Sequence, residues 1–409
     1  MQQVFSREEV DGFRNDTTGC AHVNHMNSAG AGLMPVPVVS AIIDHIRLEA
    51  EIGGYEAADR KAKEIQAFYT SAAKMLNCSP GNIAFTANAT DAFCRAISSI
   101  PFQPGDVILT TNEDYISNQI TYLAFERRFG TILVRAASLP SGGVDLKDLE
   151  ECIIRHQPKL VSVTHIPTNS GLIQPVKEIG TLCAKYGVLY LIDACQSAGQ
   201  IPLDVQSLQC DFMSITSRKY LRGPRGAGFL YVSSKILDAG YEPLFIDMRG
   251  ADWIADNEYV PVKDARRFED WEFAYALLLG TGAAIDYYLT IDADKIEQQV
   301  KFLASYLRSA LQKINGVTVH DKGPDLGGPV TFHVKGSGPE WIKKYLLQKK
   351  INVVTSYRRF AVLDYDEKRI DWTIRVSPHY YNTLEEAKSL VHAVEELTHA
   401  DGVTSDLLA

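Results

Sequence analysis

The sequence predicts an α/β protein in which a mostly parallel, doubly wound sheet of seven strands is followed by a smaller α+β domain. Three observations point there. Short apolar runs alternate with amphipathic stretches from Ile83 to Val232. Polar residues with chemical potential recur just after the ends of those runs. Beyond Phe273 the pattern changes to long helical periodicity and then to a second group of short strands.

Taken in order, Ser6-Arg7-Glu8-Glu9 reads as a capping box that opens a short helix. Pro37 to Glu51 carries apolar residues at helical spacing until Gly53 and Gly54 stop it. Strands are expected at Ile83–Thr86, Val107–Thr111, Thr131–Val134, Leu160–Thr164, Val188–Ile192, Phe212–Ile215 and Gly228–Val232. Helices between them make the connections crossovers, which is why the sheet is read as largely parallel. Helical periodicity runs through Ile291 and again from Asp294 to Ile314. The smaller domain then holds Val317–His320, Val330–Val334, Ile351–Thr355 and Trp372–Val376, and a helix over Leu384–Leu397 closes it. The expected organisation is an N-terminal arm over 1–20 packing with the small domain, a large domain over 21–284, a small domain over 285–400 and a loose tail over 401–409.

The 409 residues are 46% hydrophobic and 22% charged, enough for a large core and two domains. A formal net charge of -9 argues against nucleic acid as a partner, because phosphate backbones demand concentrated Lys and Arg. The polar start, Met1 to Asp11, lacks the apolar core of a signal peptide, and no apolar run approaches a membrane span. A soluble cytoplasmic protein without membrane partners is expected. Cys20, Cys78, Cys94, Cys152, Cys183, Cys195 and Cys210 are scattered without CxxC pairs and read as reduced thiols. His22 and His25 stand without further ligand types nearby, so no metal is expected.

The chemistry centres on Lys219, in the run from Thr216 to Phe229, and on Asp193 in Leu191-Ile192-Asp193-Ala194-Cys195-Gln196. A lysine that can form an imine, with an acid at a strand end, suits pyridoxal phosphate. The buried carboxylate keeps the pyridine nitrogen protonated as an electron sink, and Gln196 can reach the ring hydroxyl. Any α/β protein can also end a strand in Asp and carry a loop Lys, so other segments must decide. Thr90, Tyr115, Thr168, Asp193 and Lys219 all follow predicted strands, where ligands of such sheets sit. Ala87-Asn88-Ala89-Thr90 opens a helix whose free amides and dipole can bind phosphate, with the Thr90 hydroxyl in addition; taken alone it is an ordinary N-cap. Thr216, Ser217 and Arg218 can reach the same phosphate. Arg375, in an otherwise apolar strand, can clamp an α-carboxylate through two parallel hydrogen bonds, or be a surface strand arginine.

Seven segments in order resemble the class V aminotransferase family of pyridoxal-phosphate enzymes, of fold type I: His25 to Gly30, Ile52 to Glu56, Phe85 to Thr90, Thr164 to Gly171, the Asp193 and Lys219 segments, and Arg375-Val376-Ser377. That family includes cysteine desulfurases, selenocysteine lyases, kynureninases and isopenicillin N epimerase. The resemblance implies that Lys219 holds the cofactor as an imine and then takes the Cα proton of an amino-acid substrate. It puts Tyr115 over the cofactor ring, the competing account being a core tyrosine. It puts Thr168 or Asn169 near the ring hydroxyl, and Arg218 where many relatives have a histidine. Arg375 becomes the carboxylate clamp, facing a substrate-side arm of Asn27, Ser28 and Ala29. A homodimer with the active site at its interface is also implied.

Departures from the family narrow the reaction. Desulfurases take sulfur onto a mobile cysteine, but the corresponding stretch here is Val353 to Phe360, and no cysteine lies beyond Cys210. Persulfide transfer by that route is not expected, and Cys195 reads as a packed residue. Arg267 to Phe273, Glu49 to Glu56 and Leu221 to Gly226 resemble the epimerase-like and carbon-sulfur-lyase-like branch, with the duty of Glu272 left open. The leading expectation is β-elimination from a sulfur-substituted cysteine or its sulfoxide, with Tyr357, Arg358 and Arg359 facing the substrate side chain. Epimerisation or transamination is the alternative. A non-catalytic binding protein is a third reading, against which Lys219 and Arg375 argue.

Overall fold

The computed structural model describes residues 3–399, so the tail expected over 401–409 lies outside the described residues. Seven strands form the main sheet: β1 Ile83–Thr86, β2 Val107–Thr111, β3 Ile132–Ala136, β4 Leu160–Thr164, β5 Leu189–Asp193, β6 Phe212–Thr216 and β7 Gly228–Val232. Their spatial order is β1-β7-β6-β5-β4-β2-β3. Nearly all the strand residues are buried, because helices cover both faces. Alternate residues serve the two layers: Ile83, Leu109, Val161 and Met213 enter one core, and Ala84, Ile108, Leu160 and Phe212 the other.

One strand departs from the parallel pattern. β7 is antiparallel to both β1 and β6. The short connection over 217–227 allows only a return alongside β6, since a parallel crossover needs a dozen or more residues and usually a helix. That connection carries Lys219.

The small domain holds a four-stranded antiparallel sheet built from β10 Val317–Val319, β11 Val330–Val334, β12 Val354–Tyr357 and β13 Trp372–Val376 in the order β10-β11-β13-β12, the labels β8 and β9 being a hairpin of Ala251–Ala255 with Glu258–Pro261. The strand expected over Ile351–Thr355 is divided at Val353. Ile351 and Asn352 instead pair in parallel with Asn24 and His25, and a bridge from Asn27 to Ser377 continues that contact. The chain start is thereby stitched to the small domain. The capping box is formed at helix Arg7–Asn15: Glu9 N donates to Ser6 Oγ at 3.2 Å and Ser6 N to Glu9 Oε2 at 2.7 Å. Arg14 at its end donates to Glu386 Oε1 at 2.9 Å, on the last helix.

The helix Tyr275–Leu289 is continuous through the boundary expected at 284/285, and its Ile285 and Tyr288 pack in the large core. The change of core falls in the next helix, Ala293–Leu311, between Val300 and Ala304. The hairpin Ala251–Pro261, for which periodicity predicts no element, exposes Trp253, Ile254, Tyr259 and Val260. Among the described residues no helix is long and apolar enough to cross a membrane.

Three charged residues of the tract Arg267 to Phe273, namely Arg267, Glu269 and Asp270, have structural partners. Buried Arg267 donates to the carbonyls of Val262, Leu237 and Tyr241. Glu269 accepts from Phe85 N and Tyr69 Oη, each at 2.8 Å, and from Arg249 Nε at 3.1 Å. Asp270 pairs with Arg95. These bonds fix β1 and the helix that follows it.

A second polar network joins the two domains. Ser170 Oγ donates to Glu113 Oε2 at 3.0 Å, and Asn169 Nδ2 donates to Asp364 Oδ2 at 2.7 Å. Asp364 also pairs with Lys368 at 2.7 Å, both side chains almost wholly covered. Burial, reinforced by the Asp364 carboxylate, pushes Glu113 up to about 7 from the ordinary 4.5. The native state therefore binds this proton more tightly than the unfolded chain. The contribution is fully present below about pH 4.5 and is lost as pH rises through about 7. Glu113→Gln is expected to flatten that limb, with urea midpoints at about pH 5 and about pH 8 drawing closer together than in the parent protein.

Candidate active site

Lys219 sits in a turn that is clamped from several sides. Gly223 N donates to Ser217 O at 2.8 Å and Arg222 N to Lys219 O at 3.1 Å. Ser217 Oγ lies 2.6 Å from Pro224 O and 2.9 Å from Ala227 O. Arg222, at φ 63°, buries its guanidinium against Leu33 O at 2.8 Å, Tyr380 Oη at 2.6 Å and Thr17 Oγ1. Two glycines permit the close approach of neighbouring segments: a Cβ on Gly32 would lie 2.5 Å from Lys219 O, and one on Gly199, at φ +84°, 2.5 Å from the Tyr220 and Leu221 backbone. The turn is thus rigid and Lys219 is 6% exposed. Burial lowers its ammonium pKa from the ordinary value, with Arg218 and Arg375 acting in the same sense and Asp193 against them. A neutral amine is the nucleophilic form.

Around the lysine, the parallel strands deliver polar groups from their carboxyl ends. Tyr115 opens the helix Ile116–Phe129 after β2, and Lys219 Nζ lies 5.7 Å from its ring centroid. Asp193 ends β5, where Oδ1 accepts from Cys195 N at 2.9 Å and Oδ2 from Asn118 Nδ2 at 3.0 Å. Gln196 Nε2 donates to Ala29 O at 3.1 Å and Thr168 Oγ1 at 3.2 Å, while its Oε1 is buried without a partner. Cys195 is buried, and burial with the Asp193 charge pushes its thiol well up, so it is no ready thiolate.

The start of the helix Ala89–Ser98 lies against the beginning of β7. A Cβ on Gly228 would stand 2.8 Å from Asn88 C and 2.9 Å from Ala89 N, and Gly228 pairs with Thr216 across the ladder. Ala89, Thr90 and Thr216 are therefore brought to one corner. Asn88 caps the helix by accepting from Asp91 N at 3.0 Å, which leaves the Ala89 and Thr90 amides without intrahelical acceptors. Arg218 donates to Gly30 O.

Arg375 closes the opposite wall. It donates through Nη1 to Thr168 O at 2.9 Å and to Thr168 Oγ1, and through Nη2 to Asn27 Oδ1 at 3.4 Å; Nε is buried without a partner. Among the described residues no carboxylate pairs with it. Burial pushes the guanidinium down to about 10, so the site penalises its charge. A buried cation with only neutral carbonyl, hydroxyl and amide partners is built to receive an anion. Ser28 and Ala29 line the same wall: Ser28 N donates to Ser377 O at 3.1 Å and Ala29 N to Ser377 Oγ at 3.0 Å.

The structure thus gathers Lys219, Tyr115, Asp193, Gln196, Thr168, Arg375, Asn27 and Ala29 round one space. Of the pair left open, Thr168 bonds both Gln196 and Arg375, whereas Asn169 turns to Asp364. Tyr357 and Arg358 are not brought to the group. The Tyr357 hydroxyl donates to Glu340, and exposed Arg358 forms an ion pair with Asp366, so local carboxylates hold both side chains. Asp114, Asn118 and Thr164 belong to the site's foundation although no sequence argument singled them out; the Asp114–Asn118 spacing of four at a helix opening was the available signal.

A buried amine, a carboxylate at a strand end, unpaired helix amides and a buried guanidinium fit the demands of pyridoxal phosphate bound beside an amino acid. The Aminotransferase class-V family model matches residues 25–390. A probable cysteine desulfurase of Methanothermobacter thermautotrophicus is 28% identical over 379 residues, covering 91% of this chain and 94% of that protein. A probable hercynylcysteine sulfoxide lyase of Mycobacterium tuberculosis is 25% identical over 379 residues, covering 92% and 90%. The apo cysteine desulfurase of Thermococcus onnurineus NA1 superimposes with a TM-score of 0.87 at 26% identity, over 95% of this chain and 98% of that one. With the family model spanning most of the chain and the fold type I architecture in place, this protein belongs to the aminotransferase class V family, whose cofactor is pyridoxal 5′-phosphate.

Proposed function

We propose that the protein is a carbon-sulfur lyase that eliminates the β-substituent of a cysteine-derived amino acid, a sulfur-substituted cysteine or its sulfoxide. The observation that carries this reading is Arg375, a buried guanidinium without a carboxylate, facing Asn27 and joined through Thr168 and Gln196 to the lysine side of the site. It supplies the α-carboxylate subsite. Bound to Lys219, the cofactor acts as an electron sink for the bond broken at the substrate's Cα. Lys219 would hold the cofactor, and its amine, when free, would take the Cα proton of the bound amino acid. The electron pair left at Cα forms the Cα–Cβ double bond as the Cβ–S bond breaks, and sulfur leaves with the pair from that bond. Water then releases pyruvate and ammonia. Tyr115 would hold the plane of the cofactor's ring, and Asp193 would hold the proton of its ring nitrogen.

The relatives support sulfur chemistry, one of them bearing a sulfoxide lyase name. The absence of cysteine beyond Cys210 separates this chain from persulfide transfer through a loop thiol, and burial keeps the Cys195 thiol protonated. Incubation with a panel of cysteine conjugates and sulfoxides is expected to release pyruvate in step with the thiol or sulfenate product. Solvent deuterium appearing at Cα without pyruvate overturns elimination in favour of epimerisation. Lys219→Ala is expected to lower kcat by about 10²-fold or more. Arg375→Lys keeps the charge but loses the fork, and is expected to lower kcat/KM by about 10- to 100-fold, mostly through KM, in steady-state assays.

A homodimer completes the proposal. Phe245 is 83% exposed, Trp253 79% and Met248 65%, with Leu244, Ile254, Tyr259, Val260 and Trp271 also open on this stretch and the hairpin. Apolar exposure on this scale marks a surface made for a partner. Sedimentation at micromolar concentration is expected to give a dimer, and Trp253→Glu a monomer with a thermal midpoint little changed.

A further inference from the structure

Beneath Asp193 lies a second buried carboxylate, and a chain of side chains joins the two to a distant cation. Asn118 Nδ2 donates to Asp193 Oδ2 at 3.0 Å and to Asp114 Oδ1 at 3.1 Å, with Thr164 Oγ1 at 3.4 Å. Asp114 Oδ1 also accepts from Tyr115 N at 2.6 Å and from the Thr164 hydroxyl. Asp114 Oδ2 accepts from Thr110 Oγ1 at 3.0 Å and Gln119 Nε2 at 3.1 Å. Gln119 in turn accepts from Arg135 through Nη2 at 2.7 Å and Nε at 3.2 Å, on strand β3.

Every group around Asp114 can donate, and its two oxygens offer about four lone-pair directions, so this set is built round a carboxylate. Burial pushes the Asp114 carboxyl up, and the hydrogen bonds of Thr164 and Asn118 oppose that shift. Two acids this close in a dry interior repel unless something lies between them. The carboxamide of Asn118 does so, one hydrogen to each. Because Asp193 receives one bond from Cys195 N and one from Asn118, both of its oxygens are tied, and the remaining lone pairs point in a single set of directions.

We propose that Asn118 and Asp114, backed by Gln119 and Arg135, are positioning residues that aim the Asp193 carboxylate and thereby secure the proton on the cofactor's ring nitrogen. This deepens the cofactor reading of the site and rests on it. The competing account is structural, since Asp114 also anchors the opening of the helix Ile116–Phe129 through Tyr115 N and Gln119. The two accounts part at the lysine–cofactor linkage. A ring nitrogen less firmly protonated draws fewer electrons from that linkage, which then keeps its own proton to higher pH.

The test uses purified, cofactor-loaded protein and the pH titration of its visible absorption band, alongside kcat, KM and the thermal midpoint. Asn118→Leu keeps the volume and removes the donor. It is expected to move the band's midpoint upward by about 1 pH unit and to lower kcat about tenfold while KM changes less than about threefold. Asp114→Asn and Arg135→Gln should move the midpoint the same way by successively smaller amounts. Asp114→Asn keeps the side-chain shape, Arg135→Gln removes only the far end of the chain, and both carry the test if Asn118→Leu does not fold. Variants whose midpoints and kcat match the parent, even with lowered thermal midpoints, overturn the positioning role and leave the structural one. A parent protein that takes up no cofactor overturns the reading of the site itself, and the relay with it.

Discussion

The guanidinium of Arg375 is a charge that the fold removes from water without giving it an anion. Such a group is costly in a dry interior, and the cost is tolerated only where ligand binding returns the missing partner. Much of the surrounding structure exists to hold that arrangement. The strand Trp372–Val376 carries the side chain inward, Thr168 and Asn27 receive its forks, and Gln196 ties Thr168 back to the Asp193 segment. On the other side of the same space, burial lowers the Lys219 ammonium pKa from its ordinary value. The Arg375 charge adds to the lowering at Lys219, so an incoming carboxylate that neutralises Arg375 alters the field at the lysine.

The sheet was legible because all its strands but the edge strand β3 are buried on both faces and therefore read as short apolar runs with turn residues at their ends. β7 was legible as a strand but its direction was not, since direction follows from the length of the connection rather than from the strand's own residues. Arg375 stood out as a charge in an otherwise apolar strand, and Lys219 and Asp193 as an imine-forming amine and a strand-end acid that together suit one cofactor. Asp114 and Asn118 did not, because polar residues at a helix opening already have an ordinary explanation in capping. Their role appears only when β2, β4 and β5 come side by side and bring Thr110, Thr164 and Asp193 to them.

Tyr357 and Arg358 show the opposite failure. Their residue types suit the recognition of a polar side chain, yet Glu340 and Asp366 claim them. Those carboxylates lie seventeen and eight residues away on helices of the same domain, and no periodicity links the pairs. In the tract Arg267 to Phe273, Glu269 holds β1 through Phe85 N and Tyr69. Local likeness carried the fold further than it carried the reaction.

The chain start supplies Asn27, Ser28 and Ala29 to a wall whose other members come from Arg375 and Ser377, and the bonds between them span 348 residues. During synthesis the early segment leaves the ribosome long before its partners exist, and closing so long a loop costs entropy that only the finished small domain can offset. The sheet, whose strands follow one another closely, has no such wait. The wall that carries Arg375 therefore waits for the small domain, and even the turn of Lys219, whose Arg222 is held by Tyr380, is not fully clamped until the chain's later residues arrive.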